Sequence, residues 1–303
     1  MDYYFCTISS NTRLYQCIAL YNSLAAMLEN IKFFVLCMDK ETYSIISALK
    51  SNSLIPVGLE SIEDEAAVGS KADRNLSEYC WTMKPVFIES ILNNVNDVTR
   101  ITYLDADMFF FNTPKPIYTF GSGKSIWLTP HNYSEKLRYA ERDAGRYNSG
   151  FISFKNDNYS IECLQWWKKS CLDWCYNRTE EGRFGDQKYL DIFCKLFHGV
   201  ADVVIPGVNI APWNDEKAVF HRRNGLLMVN GHRLICYHFC GFRPLNKSQF
   251  IVQFGNKCNE MIHRPYMKAV KNVADQVEKL EPGFDGFYHM DPKVEAYTVF
   301  NVY

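Results

Sequence analysis

Two aspartates separated by a single residue are the clearest chemical feature of the sequence. Asp105 and Asp107 follow the apolar, β-prone run 101–104 and precede Met108 and three phenylalanines. Residues two apart on an extended chain point to the same side, so both carboxylates can face one ligand. Two unpaired carboxylates repel each other, and a hard divalent cation removes that repulsion. Because charges are rarely embedded in so apolar a run unless paired or metal-bound, the spacing indicates a cation site rather than a solvated loop.

Two other uses of an Asp-x-Asp pair do not fit the sequence. A haloacid-type phosphatase would need Thr or Val two residues after the second Asp, close to the N-terminus, whereas Phe109 stands there, deep in the chain. An EF-hand loop needs a glycine and a final glutamate at fixed offsets. Pro114 and Lys115 occupy that region instead, so this interpretation fails.

Short apolar runs rich in β-branched and aromatic residues recur along the chain and predict strands. They cover residues 3–8, 33–38, 54–57, 101–104, 125–128, 151–154 and 234–239. The run 33–38 is continuously apolar, which is typical of a parallel strand buried on both faces.

Apolar residues at three- and four-residue spacing lie between these runs and predict helices. The first predicted helix has an apolar stripe of Leu14, Cys17, Tyr21, Leu24 and Leu28, the second covers 41–49, and the third covers 86–92 and is opened by Lys84-Pro85. The fourth carries Ile161, Leu164, Trp167, Cys171 and Cys175, and the fifth starts at Asp186 and carries Tyr189, Leu190, Phe193 and Phe197. The last, near the C-terminus, has an apolar stripe of Met267, Val270, Ala274 and Val277. This alternation predicts an α/β fold with a doubly wound parallel sheet. Ligands bind at the carboxyl ends of strands in such a sheet, where Asp105 and Asp107 lie.

The composition excludes several classes of protein. The 303 residues include 33 basic and 34 acidic side chains, so the net charge of -1 offers no field for a nucleic-acid partner. An apolar content of 47% excludes disorder. No apolar run approaches the roughly 18 residues that cross a bilayer, so we expect no transmembrane segment. The charges of the C-terminal helix are too balanced to predict membrane docking, although peripheral contact stays open.

The cysteines and the first residues predict the compartment. Eleven cysteines, an odd number without a C-x-x-C pair, are expected to be reduced thiols. The sequence begins with a strand pattern and not with a basic and then apolar leader, so we expect a cytoplasmic protein. Residues 1–262 are expected to form one domain, and 263–303 a C-terminal helix and irregular tail packed on it. The oligomeric state stays open.

The segment Tyr103-Leu104-Asp105-Ala106-Asp107 resembles the signature of GT-A-fold, nucleotide-sugar-dependent glycosyltransferases. The likeness is to family 8, the glycogenin and bacterial galactosyltransferase type, and to bacterial nucleotide-diphospho-sugar transferases. Further segments resemble that family in order: 80–85 the helix before the Asp-x-Asp strand, 146–151 the segment that contacts the donor sugar, 185–190 the "DQ" segment beneath the sugar, 209–214 an acceptor-side loop, and 238–241 the late "HxxG" segment. The family continues to Lys-Pro-Trp, where this chain has Phe242-Arg243-Pro244-Leu245, so either Arg243 or Lys247 is left as the phosphate-binding cation.

The resemblance implies a GT-A, Rossmann-like fold with a mixed, mostly parallel sheet, helices on its faces and a C-terminal helical extension. It also implies site residues. Asp105, Asp107 and His238 are expected to bind Mn²⁺, or Mg²⁺, because carboxylate and imidazole suit these ions. Asp186 and Gln187 are expected beneath the reacting anomeric carbon as catalytic residues. The predicted donor-binding residues are Thr7, Ser9, Arg13, Lys84, Asp105, Asn148, Ser149, Gly150 and Gly241.

Several of these residues are also compatible with a purely structural role. Asp186 can be the N-cap of the following helix, since aspartate is a preferred cap. His238 can be a hydrogen-bonded histidine on a strand, and Trp213 a core residue rather than a sugar platform. The turn 9–13 can be an ordinary helix cap. Cys236 and Cys240 flank His238, but their spacing does not match a zinc site.

We therefore expect a metal-dependent, retaining glycosyltransferase that moves a sugar from a nucleotide-diphosphate donor, a UDP-sugar first, to a glycan or lipid-linked acceptor. One rival is a sugar nucleotidyltransferase, which needs a glycine-rich basic loop after the first strand, whereas residues 9–13 contain no glycine. A second rival is a non-catalytic nucleotide-sugar-binding module, which would bind the donor without turning it over.

Overall fold

The computed structural model describes residues 2–252, 258–290 and 298–301. Within these residues the strands are β1 (Tyr3–Ser9), β2 (Ile31–Cys37), β3 (Leu54–Gly58), β4 (Arg100–Leu104), β5 (Met108–Phe110), β6 (Ile126–Pro130), β7 (Tyr147–Lys155), β8 (Val200–Asp202), β9 (Phe220–Arg223), β10 (Leu226–Val229), β11 (His232–Arg233), β12 (Cys236–His238), β13 (Phe242–Pro244), β14 (Gln249–Val252) and β15 (Thr298–Asn301). The helices of the same residues are α1 (Leu14–Ala25), α2 (Lys40–Ala48), α3 (Glu65–Lys71), α4 (Leu76–Asn94), α5 (Lys115–Phe120), α6 (Ala140–Ala144), α7 (Asn158–Asp173), α8 (Phe193–Leu196) and α9 (Glu260–Leu280).

A seven-stranded sheet in the order β3-β2-β1-β4-β7-β6-β8 forms the centre of the molecule. Strands β3, β2, β1 and β4 are parallel, β7 runs antiparallel between β4 and β6, and β8 is parallel to β6. The predicted mixed, mostly parallel sheet is therefore confirmed. The single reversed strand, β7, carries residues 148–150 along the carboxyl end of β4.

Helices cover both faces of this sheet, which explains why its central strands are apolar on both sides. One core cluster joins α1 and α9 to the sheet face that carries Phe5 and Phe33. The other joins α4 and α7 to the opposite face, which carries Tyr103 and Phe154. The predicted apolar stripe of α9 is buried as expected. The boundary at residue 262 stays a prediction, and part of the predicted tail, 291–297 and 302–303, lies outside the described residues.

Helix α4 begins eight residues earlier than Lys84-Pro85, where the sequence pattern predicted a helix start. Asn75 and Glu78 form a capping box, in which each side chain accepts a hydrogen bond from the other's backbone N–H at 3.0 Å. Pro85 lies inside the helix, where it removes one hydrogen bond without ending the helix. Lys84 consequently sits in the middle of a buried helix.

The segment after Asp186 also differs from the prediction. A 3₁₀ turn over 188–192 leads into the short helix α8, and Asp186 is not a helix cap. Gly185 has a φ of +50° and lies against the Trp81 ring, so the chain turns and directs Asp186 inward. Cys175 is buried but lies beyond the end of α7. In the described residues, no helix is long and apolar enough to cross a membrane.

Candidate active site

A cavity of about 600 Å³ opens at the carboxyl ends of β1 and β4. Its wall includes Arg13, Lys84, Asp105, Asp107, Asn148, Ser149, Asp186, Gln187, His238 and Arg243. These side chains come from segments spread over the whole chain, and the edge of the sheet brings them together.

Asp105, Asp107 and His238 form one cluster beside this cavity. Their ligand atoms lie within 4.8 Å of one another. His238 Nε2 is 3.0 Å from Asp107 Oδ1 and 3.8 Å from Asp105 Oδ2. The juxtaposition comes from the antiparallel pairing of β5 and β12, which sets His238 opposite Met108, the residue after Asp107. Two carboxylates and one imidazole are a donor set for Mn²⁺ or Mg²⁺.

The charge of Asp107 is compensated by its neighbours. Arg13 lies 3.3 Å from its Oδ2. Burial raises the pKa of Asp107, but His238 and Arg13 outweigh burial and hold that pKa well below its usual range. Asp107 is thus an anion at neutral pH, as a metal ligand must be.

Gly150 lines the back of the cluster rather than the cavity. A Cβ at this position would lie 2.5 Å from Asp105 Oδ2, 2.7 Å from His238 Cε1 and 2.8 Å from Asn148 Oδ1. The absence of a side chain is therefore what allows the carboxylate and the imidazole to approach each other.

Gly150→Ala is expected to weaken Mn²⁺ binding at least tenfold, since displaced supporting groups typically cost about 10- to 100-fold in metal affinity. The added methyl group must push Asp105 and His238 apart. Calorimetric titration with Mn²⁺ measures the affinity. Gly69→Ala in α3 is the matched control, because nothing lies within 4 Å of a Cβ there. Unchanged Mn²⁺ affinity in Gly150→Ala would contradict the assigned cluster.

Lys84 connects the cluster to the other half of the cavity. Its Nζ lies 3.1 Å from both Asp105 Oδ1 and Asp186 Oδ2, and it donates to Ser149 Oγ at 3.0 Å. Burial alone would lower the pKa of Lys84, but Asp105 and Asp186 raise it above its ordinary value. Burial raises the pKa of Asp186, and Lys84 opposes that rise. One buried ammonium therefore fixes two carboxylates.

Gln187 and Asn148 complete this half of the cavity. Gln187 is half-buried, and its Nε2 donates to the carbonyl of Ala144 at 2.8 Å, which leaves its amide oxygen for other donors. Asn148 Oδ1 accepts from Asn209 Nδ2 at 3.4 Å. Both side chains are oriented by protein contacts and still border the cavity.

Aromatic rings that include Trp213, a neighbour of His238, form another part of the cavity wall. His131 stacks on Tyr133 with ring centroids 4.5 Å apart, and Trp213 meets His131 and His238 edge-on at 5.1 Å each. Burial lowers the pKa of His131 to about 3, so this ring is neutral. The indole nitrogen of Trp213 has no partner among the described residues. His131 and Tyr133 were not predicted from the sequence, because two aromatic residues in a loop do not by themselves indicate a binding site.

The structure places some predicted residues away from the cavity. Thr7 and Ser9 are buried on β1 and do not line it, because their side chains share one strand face while Ile8 and Ser10 share the face that does. Gly241 does not line it either. It takes a φ of +74° in the turn that leads from β12 to β13.

Arg243 and Lys247 differ in their position relative to the cavity. Arg243 on β13 lines the cavity, whereas Lys247 lies 2.8 Å from Asp275 of α9 and does not. Cys240 also lines the cavity, but Cys236 is buried and accepts a hydrogen bond from the backbone N–H of Asn209. The two cysteines therefore do not flank a common site with His238.

Comparisons with known proteins agree with this geometry. The sequence model of the nucleotide-diphospho-sugar transferase family matches residues 30–228. Two uncharacterised proteins of Bacillus subtilis (strain 168) are similar over nearly their full length. YfnF is 38% identical over 95% of this chain and 98% of its own, and YfnD is 30% identical over 94% of each. The galactosyltransferase LgtC, solved with donor and acceptor sugar analogues, shares the fold with a TM-score of 0.56 at 13% identity, covering 93% of this chain and 96% of LgtC. The expected GT-A-type fold is confirmed.

Proposed function

Because the chain belongs to the nucleotide-diphospho-sugar transferase family, we propose that it is a metal-dependent, retaining hexosyltransferase that uses a UDP-sugar. The proposed acceptor is a glycan or a lipid-linked saccharide. The observation that carries the proposal is the cluster of Asp105, Asp107 and His238 at the wall of the cavity.

The cluster fits a divalent cation. Its donors suit Mn²⁺ or Mg²⁺, its ligand atoms are close enough for one ion, and Gly150 leaves the room that a side chain would fill. When bound, the ion supplies Lewis acidity that neutralises the charge on a leaving nucleoside diphosphate. In this proposal Asp105, Asp107 and His238 hold it.

The environment of Arg243 favours the binding of a diphosphate beside this cluster. Its guanidinium lies over the Tyr288 ring at 4.2 Å, its Nε has no hydrogen-bond partner among the described residues, and it forms no ion pair there. Burial and the nearby charge of Arg13 lower the pKa of Arg243 to about 9. An anion in the cavity would offset both the desolvation of the guanidinium and its repulsion from Arg13. We therefore assign Arg243 the role of the family's phosphate-binding lysine.

Asp186 and Gln187 are proposed to act at the sugar. Asp186 is almost fully buried and ion-paired with Lys84, which makes it a poor nucleophile but a fixed hydrogen-bond acceptor. This favours a front-face transfer, in which leaving phosphate and acceptor meet on one side of the sugar, over a covalent intermediate on Asp186. The aromatic wall of Tyr133 and Trp213 is proposed to hold the acceptor sugar.

The proposed setting is the cytoplasmic side of the membrane, in the synthesis of a surface polysaccharide or lipopolysaccharide. All eleven cysteines carry free thiols, which is usual for cytosolic proteins.

UDP with Mn²⁺ is expected to raise the thermal midpoint by about 5 °C at a hundredfold excess over its Kd. The experiment compares UDP, GDP, CMP and TDP, each with and without Mn²⁺, and then measures UDP release from UDP-sugars. The same titration on Arg243→Gln should need about tenfold more UDP, since one charge-assisted contact is lost, whereas Lys247→Gln should match the parent protein.

The rivals predict different outcomes. A sugar nucleotidyltransferase would release pyrophosphate from a nucleoside triphosphate and a sugar phosphate. A binding module would show the Mn²⁺-dependent shift without any UDP release. No shift with any of the four nucleotides would refute the proposal.

A further inference from the structure

A small basic sheet, formed by β9, β10 and β11, stands apart from the rest of the surface in charge. Residues 219–233 contain three arginines and two histidines and no acidic residue, in a chain whose acidic and basic side chains nearly balance. All five basic residues are exposed. We refer to residues 219–233 as the basic meander.

The arginines of the basic meander form no ion pair with any residue that the structure describes. Most exposed arginines elsewhere form an ion pair, as Arg142 does with Asp143 and Arg178 does with Glu180, whereas the exposed Arg138 forms none with a described residue. Within the described part of the chain, Arg222, Arg223 and Arg233 have none, and Arg222 donates only to the carbonyl of Gly225. Unpaired cations on an exposed face attract an anionic partner.

The register of the strands separates the two faces of this sheet. Phe220, Leu227 and Val229 are buried on the inner face. Directly opposed residues of antiparallel strands share a face, so the outer face carries His221, Arg223 and Arg233 around the exposed Leu226 and the buried Met228. Val219, one position before Phe220, falls on the same outer face. Val219 is 66% exposed and Leu226 is 36% exposed, so cationic and apolar side chains are displayed together.

The basic meander is inserted between two parts of the active site. Trp213 and Asn214 precede it, and Asn214 Nδ2 donates to the carbonyl of His131 at 2.7 Å. Its last strand leads through Leu234 and Ile235 into β12, which carries His238. The basic meander is therefore connected on both sides to segments that line the cavity.

We propose that the outer face of the basic meander docks on an anionic phospholipid bilayer. Lipid phosphates match Arg223 and Arg233, and the headgroup boundary can bury Val219 and Leu226. A soluble polyanion would match the arginines but leave the apolar side chains of Val219 and Leu226 exposed. The role of the docking, to bring a lipid-linked acceptor near the cavity, rests on the proposed function. The docking itself does not, because vesicle binding is measured without any sugar.

Sedimentation with phospholipid vesicles tests this docking. The full chain is expected to bind vesicles with about one third phosphatidylglycerol and not pure phosphatidylcholine, and to lose binding as salt rises. Arg223→Gln/Arg233→Gln is expected to weaken partitioning about thirtyfold. Arg142→Gln/Arg178→Gln, which removes the same charge from paired surface arginines, should bind like the parent. Leu226→Ser should weaken binding a few-fold at every salt concentration.

The alternatives give separate results. Equal weakening by the two double variants would mean that net charge alone drives binding, and would overturn the proposal. So would binding to double-stranded DNA without binding to vesicles. UDP release in the absence of vesicles should be unchanged in Arg223→Gln/Arg233→Gln, so a failure of vesicle docking is distinguishable from a failure of the proposed transferase activity.

Discussion

Asp107→Asn is expected to lower sugar transfer about a thousandfold and to abolish the Mn²⁺-dependent part of the UDP-induced thermal shift. The substitution keeps the shape of the side chain but removes the negative charge that pairs with Arg13 and that a divalent cation would bind. Loss of one preorganised electrostatic contact at the transition state typically costs about 10²- to 10³-fold, and the weakened metal binding places this variant at the upper end of that range. UDP release and thermal midpoints, each with and without Mn²⁺, measure the two effects.

Asp173→Asn at the end of α7 is the matched control for this prediction. It removes the same charge from an exposed aspartate that pairs with Lys169, and surface pairs of this kind contribute at most about 1 kcal/mol. Its activity and its nucleotide response should match those of the parent. If Asp107→Asn retained the full Mn²⁺-dependent shift, the metal cluster would be wrongly assigned.

Local patterns in the sequence predicted most of the sheet and the position of the two aspartates. The strand at 101–104, the apolar run in β2 and the stripe of α9 were recognisable, because burial against a sheet or a helix sets the spacing of apolar residues. The start of α4 is also encoded, in the spacing of Asn75 and Glu78, whereas the prediction used only Lys84-Pro85.

Long-range contacts in the site were not predictable from such patterns. The strand period showed that Thr7 and Ser9 share a face but not which face opens to the cavity. The position of His238 depends on the pairing of β5 with β12, more than a hundred residues apart in sequence. The family resemblance proposed His238 without this pairing, and the pairing supplies the physical reason for its location.

Lys84 has a wider role than its sequence pattern predicted. It was predicted as a donor contact, whereas its ammonium lies between the carboxylate of Asp105, in the cluster, and that of Asp186, which we propose lies at the sugar. Its Nζ donates a hydrogen bond to Ser149 Oγ and forms ion pairs with Asp105 and Asp186. We therefore infer that Lys84 mainly orients catalytic groups and holds their charges in a buried site.

Lys84→Met is expected to lower the free energy of unfolding by about 3–5 kcal/mol, because it leaves buried carboxylates without their cation. Lys168→Met is the matched control, since Lys168 also bridges two carboxylates, Glu89 at 2.8 Å and Asp64 at 3.6 Å, but near the surface. It should cost at most about 1 kcal/mol. Urea unfolding of both variants measures the difference.

A double variant separates lost charge compensation from lost packing. In Lys84→Met/Asp186→Asn the buried charge of Asp186 is gone together with its partner, and the remaining carboxylate, Asp105, is partly exposed and still accepts a hydrogen bond from Tyr103. We therefore expect the double variant to be more stable than Lys84→Met alone, with a coupling free energy of about 1–3 kcal/mol. If the two substitutions were additive, Lys84 would contribute through the packing of its methylene chain, and the electrostatic bridge between the two halves of the site would be incorrect.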